Sequence, residues 1–188
     1  MSKLWGAIVL FAGLAVAAGG LHAQVTAAPE EVKAAFIYQF AAFVEWPASA
    51  PRGSVFTLGV AGDERIGAEL RRISASREVL GRPVRVVEVA FAGDVANLDI
   101  LFIGRDFAGA PAPLIRAALA RHTLVVSDID EGLAHGSIIN FETGERVRFE
   151  ISLESAEEAG LRLSARLLSV AVRVRKGEGE WGEEVLYA

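Results

Sequence analysis

The stretch from Glu30 to Pro47 constrains the fold most, because it predicts a helix that is apolar on almost every side. Glu30 and Glu31 after Pro29 suit the start of a helix, and Pro47 predicts its end. The apolar positions at helical spacing are Val32, Phe36, Phe40 and Phe43. Such a helix has to be covered on more than one side. Two interpretations remain open: the domain's own core covers it, or part of its aromatic surface contacts a partner protein.

Residues 1–23 predict a secretory signal peptide. Lys3 supplies the positive end, Leu4 to Ala18 is an apolar run, and small residues precede Ala23. The alternative is a retained membrane helix, but the run of about 15 to 18 residues is shorter than the roughly 20 that a membrane span needs. Cleavage after Ala23 or after Ala18 fits the small-residue pattern. No cysteine follows the run, which excludes a lipidated cysteine anchor.

Charge and cysteine content exclude several classes of protein. Lys3 is the one charged residue in the predicted signal peptide, so the remaining chain carries 18 basic and 24 acidic side chains, a formal charge of −6. This balance argues against nucleic acid as a partner. The absence of cysteine excludes disulfides, a thiol nucleophile and a redox switch within the chain. The length of 188 residues fits one domain.

Strands and helices alternate through the middle of the chain, with glycine-rich turns between them. Asp63 is placed to cap the first of these helices. The predicted strands are Val55–Ala61, Val84–Val89, Leu98–Ile103 and Thr123–Val126. The predicted helices are Glu64–Ser74 and Pro111–Arg121. Alternation of this kind is typical of a parallel sheet with helices on its faces.

The C-terminal part predicts a different arrangement. Ser137–Phe141 and Arg146–Ile151 flank a turn, as in a β-hairpin, and the second arm alternates apolar residues with Arg146, Arg148 and Glu150, which predicts one solvated face. A capping-box pattern at Ser155 and Glu158 predicts a short helix, and Ser164 predicts the cap of a last helix through about Val174. Residues 176–188 are predicted to be an acidic tail. The predicted fold class is α/β: a single-domain layered sandwich with a mostly parallel sheet, helices on both faces and a C-terminal antiparallel hairpin.

No catalytic motif is present. The turn after the first strand lacks the glycine spacing of a dinucleotide fingerprint and the Gly-Lys-Ser/Thr of a phosphate loop. Beyond the signal peptide the histidines are His122 and His135, which have no companion at metal-ligand spacing. No serine lies in a Gly-x-Ser-x-Gly elbow. The sequence therefore favours a protein that is not an enzyme and holds no cofactor or metal.

The carboxyl ends of the predicted strands carry the best candidate for a small-ligand site. Asp128, Asp130 and Glu131 follow one strand, where they form either a solvated turn or a site for a cation or polar ligand. The candidate crevice consists of Gly59, Gly62, Gly104, Asp106 and Asp128. Its existence would make the protein a small-molecule binding module.

Four segments together resemble the YfiR family, also known as domain of unknown function 4154. The segments are Phe36–Phe40 with Phe43–Pro47, Gly136–Phe141, Val147–Ile151, and Ala159–Leu161 with Ser164 and Leu167–Leu168. The resemblance covers residues 28–175. Its motif residues, which have either a structural or a partner-binding role, are Phe36, Phe40, Phe43, Trp46, Pro47, Asn140, Phe141 and Phe149. We expect the Asn140 side chain to satisfy the backbone of a neighbouring loop.

The resemblance implies a periplasmic, non-enzymatic regulator. It implies binding to the periplasmic segment of an inner-membrane signalling protein, a diguanylate cyclase, with inhibition that lowers cyclic di-GMP and biofilm formation. It further implies an outer-membrane lipoprotein that sequesters the regulator, and a homodimer. Disulfide-based control cannot apply to this chain, which has no cysteine. The alternative is a periplasmic small-molecule binding module that serves a sensor kinase or receptor.

Overall fold

One large sheet organises the part of the chain that the computed structural model describes, namely residues 27–50, 53–144, 146–177 and 180–181. Within these residues, nine strands form the sheet in the order β11-β10-β8-β7-β6-β5-β2-β4-β3. The helices are α1 Pro29–Phe40, α2 Glu64–Ser74, α3 Pro111–Leu119, α4 Leu153–Glu158 and α5 Ala165–Leu168. The strands are β1 Val44–Glu45, β2 Phe56–Ala61, β3 Glu78–Val79, β4 Arg82–Glu88, β5 Ile100–Ile103, β6 Leu124–Ser127, β7 Ile139–Thr143, β8 Val147–Ser152, β9 Arg162–Leu163, β10 Arg173–Gly177 and β11 Glu180–Trp181.

The centre of the sheet is parallel, as predicted. β4, β2, β5, β6 and β7 run in one direction, and β8 returns antiparallel to β7 as the predicted hairpin. The crossover from β2 to β4 and the crossover from β5 to β6 run towards opposite edges of the sheet. Because such crossovers are right-handed, α2 and α3 lie on opposite faces. The α/β sandwich with helices on both faces is therefore confirmed.

Helix α1 is shorter than predicted and faces the core with a different stripe. It ends at Phe40, a 3-10 turn follows, and Val44–Glu45 forms a small antiparallel pair with β9. The prediction of helix as far as Pro47 is wrong, because the extended backbone of Val44 and Glu45 pairs with β9. The stripe that is buried contains Lys33, Ile37 and Phe40, whereas Phe36 is only partly buried. Because alanines lie all around the helix, the sequence did not indicate which side of it faces the core.

The end of the chain also differs from prediction. Ser152, and not Ser155, caps α4, since its hydroxyl accepts a hydrogen bond from the amide of Ser155. Ser164 caps α5 as predicted, but that helix ends at Leu168. The next element is strand β10, which pairs with β8, so the predicted start of the acidic tail at residue 176 falls inside a strand. The predicted signal peptide and residues 182–188 lie outside the described residues.

The core fills the space between the sheet and its helices. Strands β5 and β6 are buried throughout, as strands of a doubly covered parallel sheet must be. The largest side chains of the buried core include Phe40, Phe56, Phe102 and Phe141. Among the described helices, none has both the length and the apolar character that a membrane span requires.

Candidate functional site

The aromatic residues of the motif mostly pack against each other inside the domain. The ring of Phe40 lies 5.1 Å from that of Phe149 and 6.1 Å from that of Phe141. Phe36 contacts Phe149 at 5.6 Å between ring centroids. Phe102 on β5 extends the cluster, with its ring 6.5 Å from that of Phe141. These ring contacts join α1 to the β7–β8 hairpin. The aromatic motif residues therefore serve mainly in packing within the domain.

The motif residues Phe43, Trp46 and Pro47 pack just beyond the C-terminal end of α1. The ring of Trp46 meets that of Phe56 edge-on at 5.9 Å. Phe43 is half-buried beneath the Arg166 guanidinium, which lies 5.8 Å from its ring centroid. Pro47 is also half-buried. These contacts hold the end of the α1 segment against β2 and α5.

Part of α1 nevertheless stays open to solvent. A shallow groove of about 380 Å³ runs beside the helix, where Phe36 is half-buried and Gln39 is exposed. Glu31, Val32 and Ala35 complete its helical wall. The helix is thus covered mainly by its own domain, and this groove holds the accessible part of the Phe36 ring.

The glycines of the predicted crevice serve close packing. A Cβ on Gly59 would lie 2.7 Å from Leu98, one on Gly62 would lie 2.1 Å from the Phe107 amide nitrogen, and one on Gly104 would lie 2.6 Å from the Gly62 carbonyl oxygen. The loops after β2 and β5 therefore pack directly on one another. Side chains and backbone fill the position where an open sheet commonly holds a ligand.

The close approach at Gly62 gives a testable prediction, with Gly81 as a matched control. Both glycines have positive φ, 69° and 71°. A Cβ at Gly81 meets nothing within 4 Å, whereas one at Gly62 meets the backbone of Phe107. Gly81→Ala is expected to cost about 1 kcal/mol of backbone strain, and Gly62→Ala about 2–3 kcal/mol more. Urea unfolding of both variants measures the difference. Equal losses would show that the two loops do not pack tightly.

A cleft of about 450 Å³ lies beside the filled crevice. Gly62 and Asp106, two of the predicted residues, line it together with Asp63, Glu88 and Arg71. Its charge is mainly negative. Throughout the described ranges, no group of three or more His, Asp or Glu side chains is placed to hold a metal ion.

Asp128, the fifth predicted residue, belongs to a buried ion pair instead. Its Oδ2 lies 2.6 Å from the Lys33 Nζ, and the two side chains are 8% and 7% exposed. Arg105 approaches the other carboxylate oxygen at 3.1 Å. Asp128 thereby joins α1 to the carboxyl ends of β5 and β6. Lys33 was not predicted as a site residue, although it is the one lysine of α1 and follows its two acidic residues, Glu30 and Glu31.

Asn140 connects this region to the C-terminal strands. Its Oδ1 accepts hydrogen bonds from the Ser127 hydroxyl at 2.8 Å and from the Ile129 amide at 3.4 Å. The second contact is the loop-backbone role that the sequence predicted. Its Nδ2 donates to Glu150 Oε1 at 3.2 Å, and Arg173 donates to Glu150 Oε2 at 3.0 Å. The prediction that Glu150 faces solvent is wrong, because Arg173 on β10 covers it.

A larger cleft of about 560 Å³ opens above this polar network. Its walls combine Arg105, Arg173 and Arg175 with carboxylates of β7, β8 and the loop after β6. The arginines are engaged: Arg105 with Asp128, Arg173 with Glu150, and Arg175 with the Leu133 carbonyl at 2.7 Å. The cleft is therefore a polar surface whose three arginines already have hydrogen-bond partners.

One of the two histidines in the described residues has a structural contact. The Nδ1 of His122 lies 2.8 Å from the Ala159 carbonyl oxygen and ties α3 to α4, while His135 is exposed. The hydrogen bond to Glu69 raises the pKa of Arg72, a fully exposed guanidinium that is charged at neutral pH in any case. No arrangement of nucleophile, base and oxyanion donor is evident in the described part of the chain.

The fold and site define a single-domain α/β protein whose motif residues mainly hold the domain together. Residues 30–172 match the YfiR/HmsC-like family, DUF4154, and the chain belongs to this family. Family membership indicates a periplasmic regulatory protein. No curated protein matches the chain.

A solved structure shares the fold. It is the crystal structure of a conserved domain protein from Vibrio cholerae O1 biovar El Tor, with a TM-score of 0.54 and 15% sequence identity. The similarity covers 79% of this chain and 60% of the Vibrio chain, so this chain spans about 60% of that protein's length. The likeness extends to the fold and not to a shared function.

Proposed function

We propose that the protein is a non-enzymatic periplasmic regulator that binds and inhibits an inner-membrane signalling protein, a diguanylate cyclase, through the partner's periplasmic segment. The observation that supports this proposal is the family match over residues 30–172. The packed Gly59–Gly62–Gly104 region adds to it, because a domain with a filled crevice favours regulation through its surface. The acidic balance of the chain also argues for a protein partner over nucleic acid.

The mechanism is a shift of population. A regulator that binds one arrangement of the partner's dimer more tightly than another stabilises that arrangement in proportion to the difference in affinity. Binding to the inactive arrangement lowers cyclic di-GMP output. Sequestration of the regulator, for which an outer-membrane lipoprotein is the proposed agent, returns the partner to its active arrangement.

Deletion of the gene tests the proposal. Cyclic di-GMP is expected to rise in the deletion strain and to return to its original level when the gene is restored. In parallel, affinity-tagged protein is expected to co-purify an inner-membrane cyclase from solubilised membranes. Mass spectrometry of the nucleotide extract and of the purified complex provides the two measurements. Unchanged cyclic di-GMP together with no co-purifying inner-membrane protein would contradict the proposal.

A further inference from the structure

Strand β10, which is followed by the short strand β11, covers the edge of β8, and the family match ends immediately before β10. The match covers residues 30–172, and β10 begins at Arg173. β10 lies parallel to β8, with Arg173 opposite Glu150 and Arg175 opposite Ser152. The sheet of the matched region thus ends at β8, and a segment beyond that region protects its edge.

Hydrophobic burial makes a small contribution to the attachment of β10, through the half-buried side chain of Val174. The structure describes all five residues of β10. None of them is fully buried, and Arg173 and Lys176 are exposed. By contrast, β8 beneath it contains the buried residues Phe149 and Ile151. Because apolar burial is the main favourable term for most core strands, β10 is held differently from the fully buried central strands β5 and β6.

Backbone pairing with β8 and charged side-chain contacts supply most of the attachment. Arg173 donates hydrogen bonds to Glu150 and Glu142, and Arg175 donates to the carbonyl of Leu133. Residues 173 and 175 lie on one face of the strand because side chains alternate along it. The surface beside β8 therefore accepts basic side chains at alternate positions of a neighbouring strand.

We propose that β10 is a displaceable cover, and that the β8 edge is a docking site for an extended segment of a partner protein with basic residues at alternate positions. When β10 leaves together with β11, which pairs with its outer edge, the backbone groups of β8 become free for strand addition, and Glu142 and Glu150 select the charge of the incoming strand. The partner segment has to compete with β10, whose covalent attachment gives it a high effective concentration. This inference goes beyond the proposed function and does not depend on it.

Charge reversal at Arg173 in the full-length chain tests whether charged contacts hold β10 on β8. Arg173→Glu places a third carboxylate beside Glu142 and Glu150, so the amides of β10 are expected to exchange with deuterium about tenfold faster. Arg148→Glu is the matched control, because Arg148 lies on β8 near Glu142 but is 60% exposed and does not hold β10. In both variants β5 and β6 are expected to keep their protection.

A labelled peptide with the sequence of residues 171–181 tests docking. Fluorescence anisotropy is expected to detect its binding to Arg173→Glu, and about tenfold weaker or no binding to the unmodified chain and to Arg148→Glu. A peptide with glutamate in place of both arginines serves as the negative probe. Absence of peptide binding to Arg173→Glu would overturn the proposal. Dimerisation of that variant in place of peptide binding would also overturn it, because the occupant of the edge would then be a second copy of the chain.

The salt dependence of hydrogen exchange in β10 is a second measurement, and it needs no substitution. Raising sodium chloride from about 0.05 M to about 0.5 M shortens the screening length severalfold, so β10 of the unmodified chain is expected to exchange severalfold faster while β5 and β6 do not change. Exchange of β10 that is independent of salt would overturn the electrostatic attachment, even if Arg173→Glu failed to fold.

Discussion

Asp128→Ala is expected to destabilise the fold by about 3–5 kcal/mol, because it leaves the ammonium group of Lys33 buried without its carboxylate. The two atoms lie 2.6 Å apart, and both side chains are more than nine-tenths covered. Arg105 would lose a partner at 3.1 Å as well, but its half-exposed guanidinium can turn to water. Urea unfolding followed by circular dichroism measures the loss.

Asp130 provides the control for this experiment. It lies two residues further on and is exposed, so Asp130→Ala is expected to change the free energy of unfolding by less than about 0.5 kcal/mol. The double substitution Lys33→Met with Asp128→Leu is expected to recover much of the stability, since it removes both charges from the interior. If Asp128→Ala and Asp130→Ala had equal effects, the buried ion pair would not contribute in this way.

Phe40→Ala is expected to cost about 3–5 kcal/mol through loss of buried area and the cavity that it leaves. Phe40 is 1% exposed, and its ring contacts those of Phe36, Phe141 and Phe149. The substitution removes the centre of the cluster that joins α1 to the β7–β8 hairpin. The loss should therefore appear as lower stability of the whole domain and as faster hydrogen exchange in α1.

Phe91→Ala is the matched control, because it removes the same atoms from a side chain that is 63% exposed. Its expected cost is below about 0.5 kcal/mol. The comparison also tests the interpretation of the family motif. A Phe40→Ala variant that remained as stable as Phe91→Ala would indicate that the motif aromatic has a role other than packing.

Local signals in the sequence predicted an element correctly wherever that element depends on residues close to it in sequence. Helix α2 begins and ends as predicted, since Asp63 caps it with a 3.0 Å bond from the Ile66 amide and one amphipathic stripe continues through it. The β7–β8 hairpin was visible for a similar reason: its strands are close in sequence, and its turn chemistry is local. These features require no knowledge of distant residues.

The candidate site was predictable only in part. Asn140 was identified correctly as a residue that satisfies loop backbone, because a polar residue inside an apolar strand must find a partner. The glycines of the crevice were predicted to line a ligand site, but the residues that pack against them were not predicted. Phe107 lies against Gly62 across 45 positions of sequence, and no periodic pattern relates the two.

The sequence by itself determined the α/β class, the order of the main strands and helices, and the family, because hydrophobic period, caps and turn residues act over a few positions. The tertiary structure alone decided that Lys33 pairs with Asp128, that Val44–Glu45 leaves the helix to pair with β9, and that the segment after α5 becomes β10. Each of these depends on a partner far along the chain, whose hydrogen bonds or charge outweigh a weak local preference. A strand such as β10, with basic residues and little apolar burial, forms only where carboxylates and an open sheet edge are already in place.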